Sequence, residues 1–442
     1  MRRLVSAAAM VCAGALLVVG CGGGSDSSSS AGGGETTITF WTGFTSRELG
    51  VMKDVVAGFE KTHPDIHVKV VGGISDDKIV AAIRGGNAPD VAHSFDAGAY
   101  TGAYCSNGAW IDLADYMNQD GLSDDVFPEV PRQYSQFEGT RCALPMLADV
   151  YGLYYNKDLL AKAGIDSPPQ TVSQLMDDAK KLTERNPDGS LKVVGLDPFD
   201  GFYENVAAHW APQWGVDWVD ESGKSNLAAQ PGWADMLRWQ KELIDWYGYD
   251  NLVRWQASAG DEFSAQNAFE RGKLAMNLDG EWRVAFVQSE HPELNFATAP
   301  LPVDDAQPDL YGSGYTSGSI IGIPKTSGHK DEAWQLLKYL ATDTGALVKM
   351  TNGIRNVPTT TDALESPDVK PDEAFNIFLD IFGNPNTRTT PITLVGSANQ
   401  DLVDAFVTKY QAGKVDDLEG GLADLDQQID AQLEAAGGAQ VP

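Results

Sequence analysis

The stretch TTITFWTGFTSRELGVMKDVVAGFEKTHPDIHVKVVGGISDDKIVAAIRGGNAPDVAH, residues 36–93, decides the fold. Its first six residues alternate and are rich in β-branched and aromatic side chains, which predicts a strand. Thr45 and Glu48 stand three apart, as in a capping box. They open a helix that places Leu49, Met52, Val55, Val56 and Phe59 on one face. Residues 67–71 predict a second strand, 76–84 a short helix closed by Gly85-Gly86, and 90–93 a third strand. Strand, helix, strand, helix, strand in this order predicts a parallel sheet wrapped by helices, so the class is α/β.

Downstream, the run LPMLADVYGLYYN at 144–156 is apolar and aromatic, and helices are predicted at 157–163 and 172–183. Asn186-Pro187-Asp188-Gly189 is a turn. Residues 192–196, 274–278 and 296–301 read as short strands, and the segment 199–255 carries seven of the eleven Trp. After 320–324 comes an amphipathic helix at 330–341, and helical patterns dominate from Asp401 onward. No repeat of 20–50 residues is present. The roughly four hundred residues of the body exceed the ~250–300 that one core sustains, which predicts two lobes.

Upstream, Arg2 and Arg3 precede an uncharged apolar stretch, 4–19, and then Gly20-Cys21. This is a secretory signal, too short and wrongly flanked for a spanning helix. Val18-Val19-Gly20-Cys21 resembles the bacterial lipobox, which implies that Cys21 becomes the first residue and carries lipid. An ordinary signal in which Cys21 is incidental is the other reading. The leader is thus 1–21, and the Gly- and Ser-rich stretch 22–35 is a flexible tether. Cys12 leaves with the leader. The remaining pair, Cys105 and Cys142, forms one disulfide or stays as two buried thiols.

The chain has 62 acidic and 32 basic residues and a net charge of −30. Such a surface repels phosphate backbones and argues against a nucleic-acid partner. No G-x-G-x-x-G follows a strand, and P-loop, H-E-x-x-H and G-x-S-x-G motifs are missing, so no metal, cofactor or catalytic residue is assigned. Ser327 and Lys330 match S-x-x-K without its companion motifs. Chance carboxylate pairs leave a glycosidase open on spacing alone.

Five motifs, in order along the body, together resemble the bacterial extracellular carbohydrate-binding proteins of ABC importers, the maltose-binding-protein type. They are Phe40-Trp41-Thr42, Asn87-Ala88-Pro89-Asp90-Val91, Tyr154-Tyr155-Asn156-Lys157-Asp158-Leu159-Leu160, Met276-Asn277-Leu278-Asp279-Gly280-Glu281-Trp282, and Gly353 to Pro358. The resemblance implies a two-lobed periplasmic-binding-protein fold of type II, each lobe a mainly parallel sheet flanked by helices. The first lobe would take 36–148 and 301–352, the second 152–296 and 356–442. Hinge crossings would fall near Asp149-Val150-Tyr151, Ala297-Thr298-Ala299 and Asn352-Gly353-Ile354. It implies a monomer without enzymatic activity that hands a carbohydrate, whether a sugar, an oligosaccharide or an amino-sugar, to the transmembrane permease of an importer.

Sugar rings stack their C–H faces on aromatic planes, while hydroxyls pair with carboxylates and amides. Open α/β sheets hold such sites at the carboxyl ends of strands. Trp41 ends the first strand, with Phe44 and Glu48 close behind. The resemblance matches Asp96 and Asp149 to hydroxyl-holding acids and Trp282 to a stacking tryptophan, with Asp279 and Glu281 flanking it. Tyr151 sits at a hinge. Trp210 and Trp214 are four apart, although Pro212 disturbs the helix, and core packing is the plainer reading of both. Gly314 and Tyr315 can bring backbone close to a ligand. Arg355 can fork to a hydroxyl pair or a phosphate. A glycerophosphodiester receptor, a lipid-anchored glycoside hydrolase and a purely structural lipoprotein are the alternatives.

Overall fold

Thr36–Trp41 forms the first strand, β1, and Ile38 and Phe40 are fully buried on one of its faces. The first helix, α1, is Ser46–Thr62 and buries Met52, Val55, Val56 and Phe59, whereas Leu49 is half-buried. Thr45 adopts the extended cap backbone, but its side chain makes no capping bond, so the capping box is not formed. Ser46 has a positive φ of 44°, and the Glu48 carboxylate lies 3.6 Å from Arg47 Nη2. β2 (Ile66–Val71), α2 (Asp76–Gly85) and β3 (Val91–Ser94) follow, and β1 pairs in parallel with both β2 and β3. The quoted stretch is therefore the βαβαβ unit its pattern predicts. The computed structural model describes residues 35–437. The leader, Cys21 and the tether up to residue 34 lie outside the described residues.

The helix α3 spans Ala97–Ser106, and the long strand β4 spans Ala143–Asn156. A small hairpin joins β5 (Glu184–Arg185) to β6 (Leu191–Val193). The remaining strands are β7 (Met276–Gly280), β8 (Phe296–Ala299), β9 (Thr316–Gly322) and β10 (Val357–Pro358). The main sheet runs β10-β4-β9-β3-β1-β2, with β7 and β8 also on β4. β4 serves both halves of the molecule: Ala143 to Val150 pair with β9, while Tyr151 to Asn156 pair with β7 and β8.

All of these β4 pairings are antiparallel, as is β3 with β9. The sheet is therefore mixed: parallel strand pairing is found among β1–β3, and isolated parallel bridges join Val194 to Leu274, Thr171 to Val303 and Tyr315 to Arg388. The reason is topological. βαβ crossovers keep strands parallel, whereas β7 to β10 return to β4 after long excursions that reverse direction.

The apolar cores divide accordingly. One cluster gathers the α1 face, Ile38, Phe40, Leu144, Ile321, Leu337 and Leu347. Another gathers Leu153, Leu175, Trp233, Leu243, Phe378 and Leu425. A third, smaller cluster gathers Ala92, Tyr104, Trp110, Ala143 and Ile320, and β4 contributes to all three in a two-lobed α/β architecture. Trp210 and Trp214 belong to the second centre and pack on Trp239 at ring-centroid distances of 5.4 and 6.4 Å. They lie on a four-residue helix, Ala207–Trp210, and the 3-10 turn that follows it, rather than on one helix. Cys105 and Cys142 form a disulfide that ties α3 to the start of β4. Among the described residues, no helix is long and apolar enough to cross a membrane.

Candidate functional site

A cavity of about 500 Å³ opens where β4 passes from one lobe to the other. The loop after β1 and the first turn of α1 bring Phe44, Thr45 and Glu48, and the β3–α3 connection brings Phe95 and Asp96. These are carboxyl ends of parallel strands, where open sheets bind ligands. Glu204, His209, Phe263 and Trp282, from segments far along the chain, line it as well. The connecting segments contribute Asp149, Tyr151, Tyr315, Ser317 and Asn356.

The aromatic rings form two groups. Tyr151 stacks on His209 at 3.7 Å between centroids, meets Trp282 edge-on at 5.6 Å, and stands 5.6 Å from Tyr315. On the other lobe Phe44 meets Phe95 edge-on at 4.9 Å and stacks on His93 at 5.1 Å. Two glycines make these placements possible. A Cβ on Gly280 would lie 2.3 Å from the Trp282 indole, and one on Gly43 would lie 2.1 Å from the Phe95 ring. Both distances are shorter than any real carbon contact, so a side chain there would displace the ring.

Polar groups interleave with the rings. Asn356 Nδ2 donates to Asp149 Oδ1 at 2.7 Å and to Glu281 Oε1 at 2.8 Å. Glu281 Oε2 accepts from the Val150 backbone N–H at 2.7 Å. Burial pushes the Asp149 carboxyl up to about 7, the Asn356 hydrogen bond opposes the shift, and the charges of Asp96 and Glu48 add to it. Burial also holds the Glu281 carboxyl well above its ordinary range, with the neighbouring Asp149 adding to the shift. Glu204 is raised to about 7 by burial and by the charge of Asp279, and it shares a hydrogen bond with the Glu262 carboxyl, itself pushed to about 10. Burial lowers His209 to about 4, so its ring is neutral. Asp96 Oδ1 caps α3 by accepting from the Ala99 N–H at 2.9 Å.

Of the residues singled out in the sequence, Phe44, Glu48, Asp96, Asp149, Tyr151, Trp282 and Tyr315 line this cavity. The others lie elsewhere. Trp41 is half-buried against the core around Ala92 and Tyr104. Strand alternation turns its ring away from the face that Phe40 buries. Trp210 and Trp214 are core. Asp279 is fully buried and takes hydrogen bonds from Arg283 Nε at 2.8 Å, Asn277 Nδ2 at 3.0 Å and the Gly280 N–H at 3.0 Å. Glu281 stands behind Asp149, bound to Asn356. Gly314 packs beside Ile381. Arg355 donates to the Lys370 carbonyl at 2.8 Å and to Asp372 Oδ2 at 3.1 Å, over the Phe375 ring.

Sequence reasoning missed Phe95, Glu204, His209, Phe263, Ser317 and Asn356. His209 and Asn356 adjoin Trp210 and Arg355, which were singled out and face elsewhere, while Phe95 lines the cavity together with its singled-out neighbour Asp96. Glu204 and Phe263 lie in irregular loops that carry no periodicity.

A family model described as bacterial extracellular solute-binding protein matches residues 45–347. The chain belongs to that family. Among solute-binding relatives, the mannitol-binding protein of Pseudomonas aeruginosa is 28% identical over 320 residues, 69% of either chain. Curated relatives from Brucella abortus are 28% identical over 240 residues, 52% of this chain and 56% of theirs, so the chain spans a little over half their length. The solved structure of CpMnBP1 with mannotriose bound superposes with a TM-score of 0.78 at 24% identity, over 89% of this chain and 99% of that one. That likeness establishes the fold.

Proposed function

We propose that the protein is the substrate-binding component of an ABC importer, which captures a carbohydrate in the cavity between its lobes and delivers it to a permease. The observation that carries this reading is the alternation of aromatic rings and carboxyl or amide groups around one cavity, with both lobes contributing. Rings suit the apolar faces of a sugar, and Asp149, Glu48 and Asn356 suit its hydroxyls. A ligand that touches both lobes favours the closed state. The lobes are assigned to 36–148 with 301–352 and to 152–296 with 356–442, hinged near residues 149–151, 297–299 and 352–354. A Kd of about 1 μM, near −8 kcal/mol, suits a receptor. Related proteins named for maltotriose and mannitol binding support the ligand class.

No bond in the ligand is broken in this reading, and the protein acts as a monomer. It is exported and held on the outer face of the cytoplasmic membrane by lipid on Cys21. A glycerophosphodiester ligand is not favoured, because Arg355 is engaged elsewhere and no Lys or Arg is among the described residues lining the cavity. A thermal-shift screen over neutral and amine-bearing sugars and glycerophosphodiesters tests the reading, since binding stabilises by mass action. A saccharide should raise Tm and be recovered intact after prolonged incubation. Release of aryl aglycones would instead indicate a hydrolase, and the absence of any shift a structural role.

A further inference from the structure

Resting on the carbohydrate-receptor reading, we infer that the ligand is cationic: a saccharide bearing a protonated amine, held by the carboxyl groups of the cavity and the faces of its aromatic rings. The inventory of charge is one-sided. Glu48, Asp96, Asp149 and Glu204 line the cavity, and among the described residues no Lys or Arg does. Among the described lining residues the imidazole is His209, which stacks on Tyr151 and donates from Nδ1 to the Glu204 backbone carbonyl, 2.6 Å away.

The cations nearby are already engaged. Arg283 is fully buried behind the cavity, with Nε 2.8 Å from Asp279 Oδ2, Nη1 3.1 Å from Glu270 Oε1 and Nη2 3.5 Å from Glu262 Oε1. That guanidinium faces three carboxyl groups, so the positive charge it offers Glu204 and Glu48 is shared with Asp279, Glu270 and Glu262. Arg47 bonds the Gly353 carbonyl and lies over the Phe286 ring at 5.3 Å. It stands 3.6 Å from Glu48.

Desolvated carboxyl groups without counter-charge repel one another and take up protons, which is costly in an apo site. A neutral sugar would leave that repulsion in place. An ammonium group relieves it, donates charge-assisted hydrogen bonds to the carboxyl oxygens, and sits favourably over the Tyr151, Trp282, Phe44 or Phe95 rings. Removing one carboxylate from such a pair costs ~1.5–3 kcal/mol, about tenfold to a hundredfold in Kd.

The test is calorimetric titration of the purified protein with matched probes: D-glucosamine and its β-1,4-linked di- and trisaccharides, their N-acetylated counterparts, and cellobiose and cellotriose, with mannotriose and maltose as neutral references. The amine-bearing member of each set should bind about tenfold or more tightly than its acetylated and hydroxyl counterparts. That preference should collapse toward parity in Glu48→Gln and in Glu204→Gln, two variants on different lobes, each checked for native thermal unfolding. Equal or tighter binding of the neutral counterparts, or a preference that survives both variants, overturns the inference and leaves the receptor reading standing. Failure of every saccharide to bind, the neutral references included, overturns both.

Discussion

Asn356 Nδ2 stands 2.7 Å from Asp149 Oδ1, so the segment leading into β10 is bonded to the point where β4 crosses between lobes. The same nitrogen reaches Glu281 just past the end of β7, and the start of β9 joins through Thr316 Oγ1, which donates to the Asp149 carbonyl at 2.9 Å. Asp149, Glu281, Asn356 and Thr316 are therefore one hydrogen-bonded unit at the point where β4 changes partners.

Asn356→Leu removes the donors that satisfy two carboxyl groups at once. Leaving such buried acceptors unpaired costs about 2 kcal/mol. The urea midpoint should fall accordingly, and saccharide affinity should fall with it. A variant with wild-type midpoint and affinity would mean that the amide is incidental.

Trp282→Ala and Trp210→Ala should separate site from core. Trp282 borders the cavity, so its loss should weaken ligand binding by about tenfold with a modest change in stability. Trp210 is 1% exposed, and its loss should cost ~3–5 kcal/mol of stability. If Trp210→Ala remains folded, its affinity should be near wild type. Chemical denaturation and calorimetry on both variants read the two effects independently.

That contrast also marks what the sequence carried and what it did not. The βαβαβ unit was legible because alternation in 36–41 and the 3-4 spacing of Met52, Val55 and Phe59 each have one physical solution. Trp282 and Asp149 were legible through motif resemblance. Trp41 was not, because a strand end fixes position but a single residue's facing depends on neighbours such as Ala92 that come from elsewhere in the chain. The antiparallel returns to β4 were hidden for a related reason: strand direction is set by connections more than a hundred residues long. Glu204 and Phe263 lie in loops, where local pattern says nothing about which lobe they face.

Thermal stability should rise as pH falls from about 8.5 to about 6.5. Asp149, Asp197 and Glu204 have folded values of about 7, above the ordinary carboxyl range. The folded chain thus binds protons more tightly than the unfolded one, and stability falls as pH rises from the ordinary carboxyl range through those folded values. His209 and His93 oppose this only lower down. Their folded values, about 4 and about 3, make stability decline as pH drops below the unfolded histidine value of ~6.5. Glu204→Gln should flatten the upper slope. A Tm that climbs toward alkaline pH would contradict these assignments.

Loss of the Cys105–Cys142 disulfide should destabilise the first lobe by ~2–4 kcal/mol. A double Ser variant should unfold at lower urea, and reductant should leave its midpoint unchanged while lowering that of the wild type.

The most direct test is a crystal structure of the protein grown with whichever saccharide gives the largest thermal shift. We predict an intact ligand between the lobes, one ring against Trp282 and Tyr151, and polar groups on Asp149 and on Glu48 from the opposite side. A saccharide bound away from this cavity, or found cleaved within it, would contradict the account.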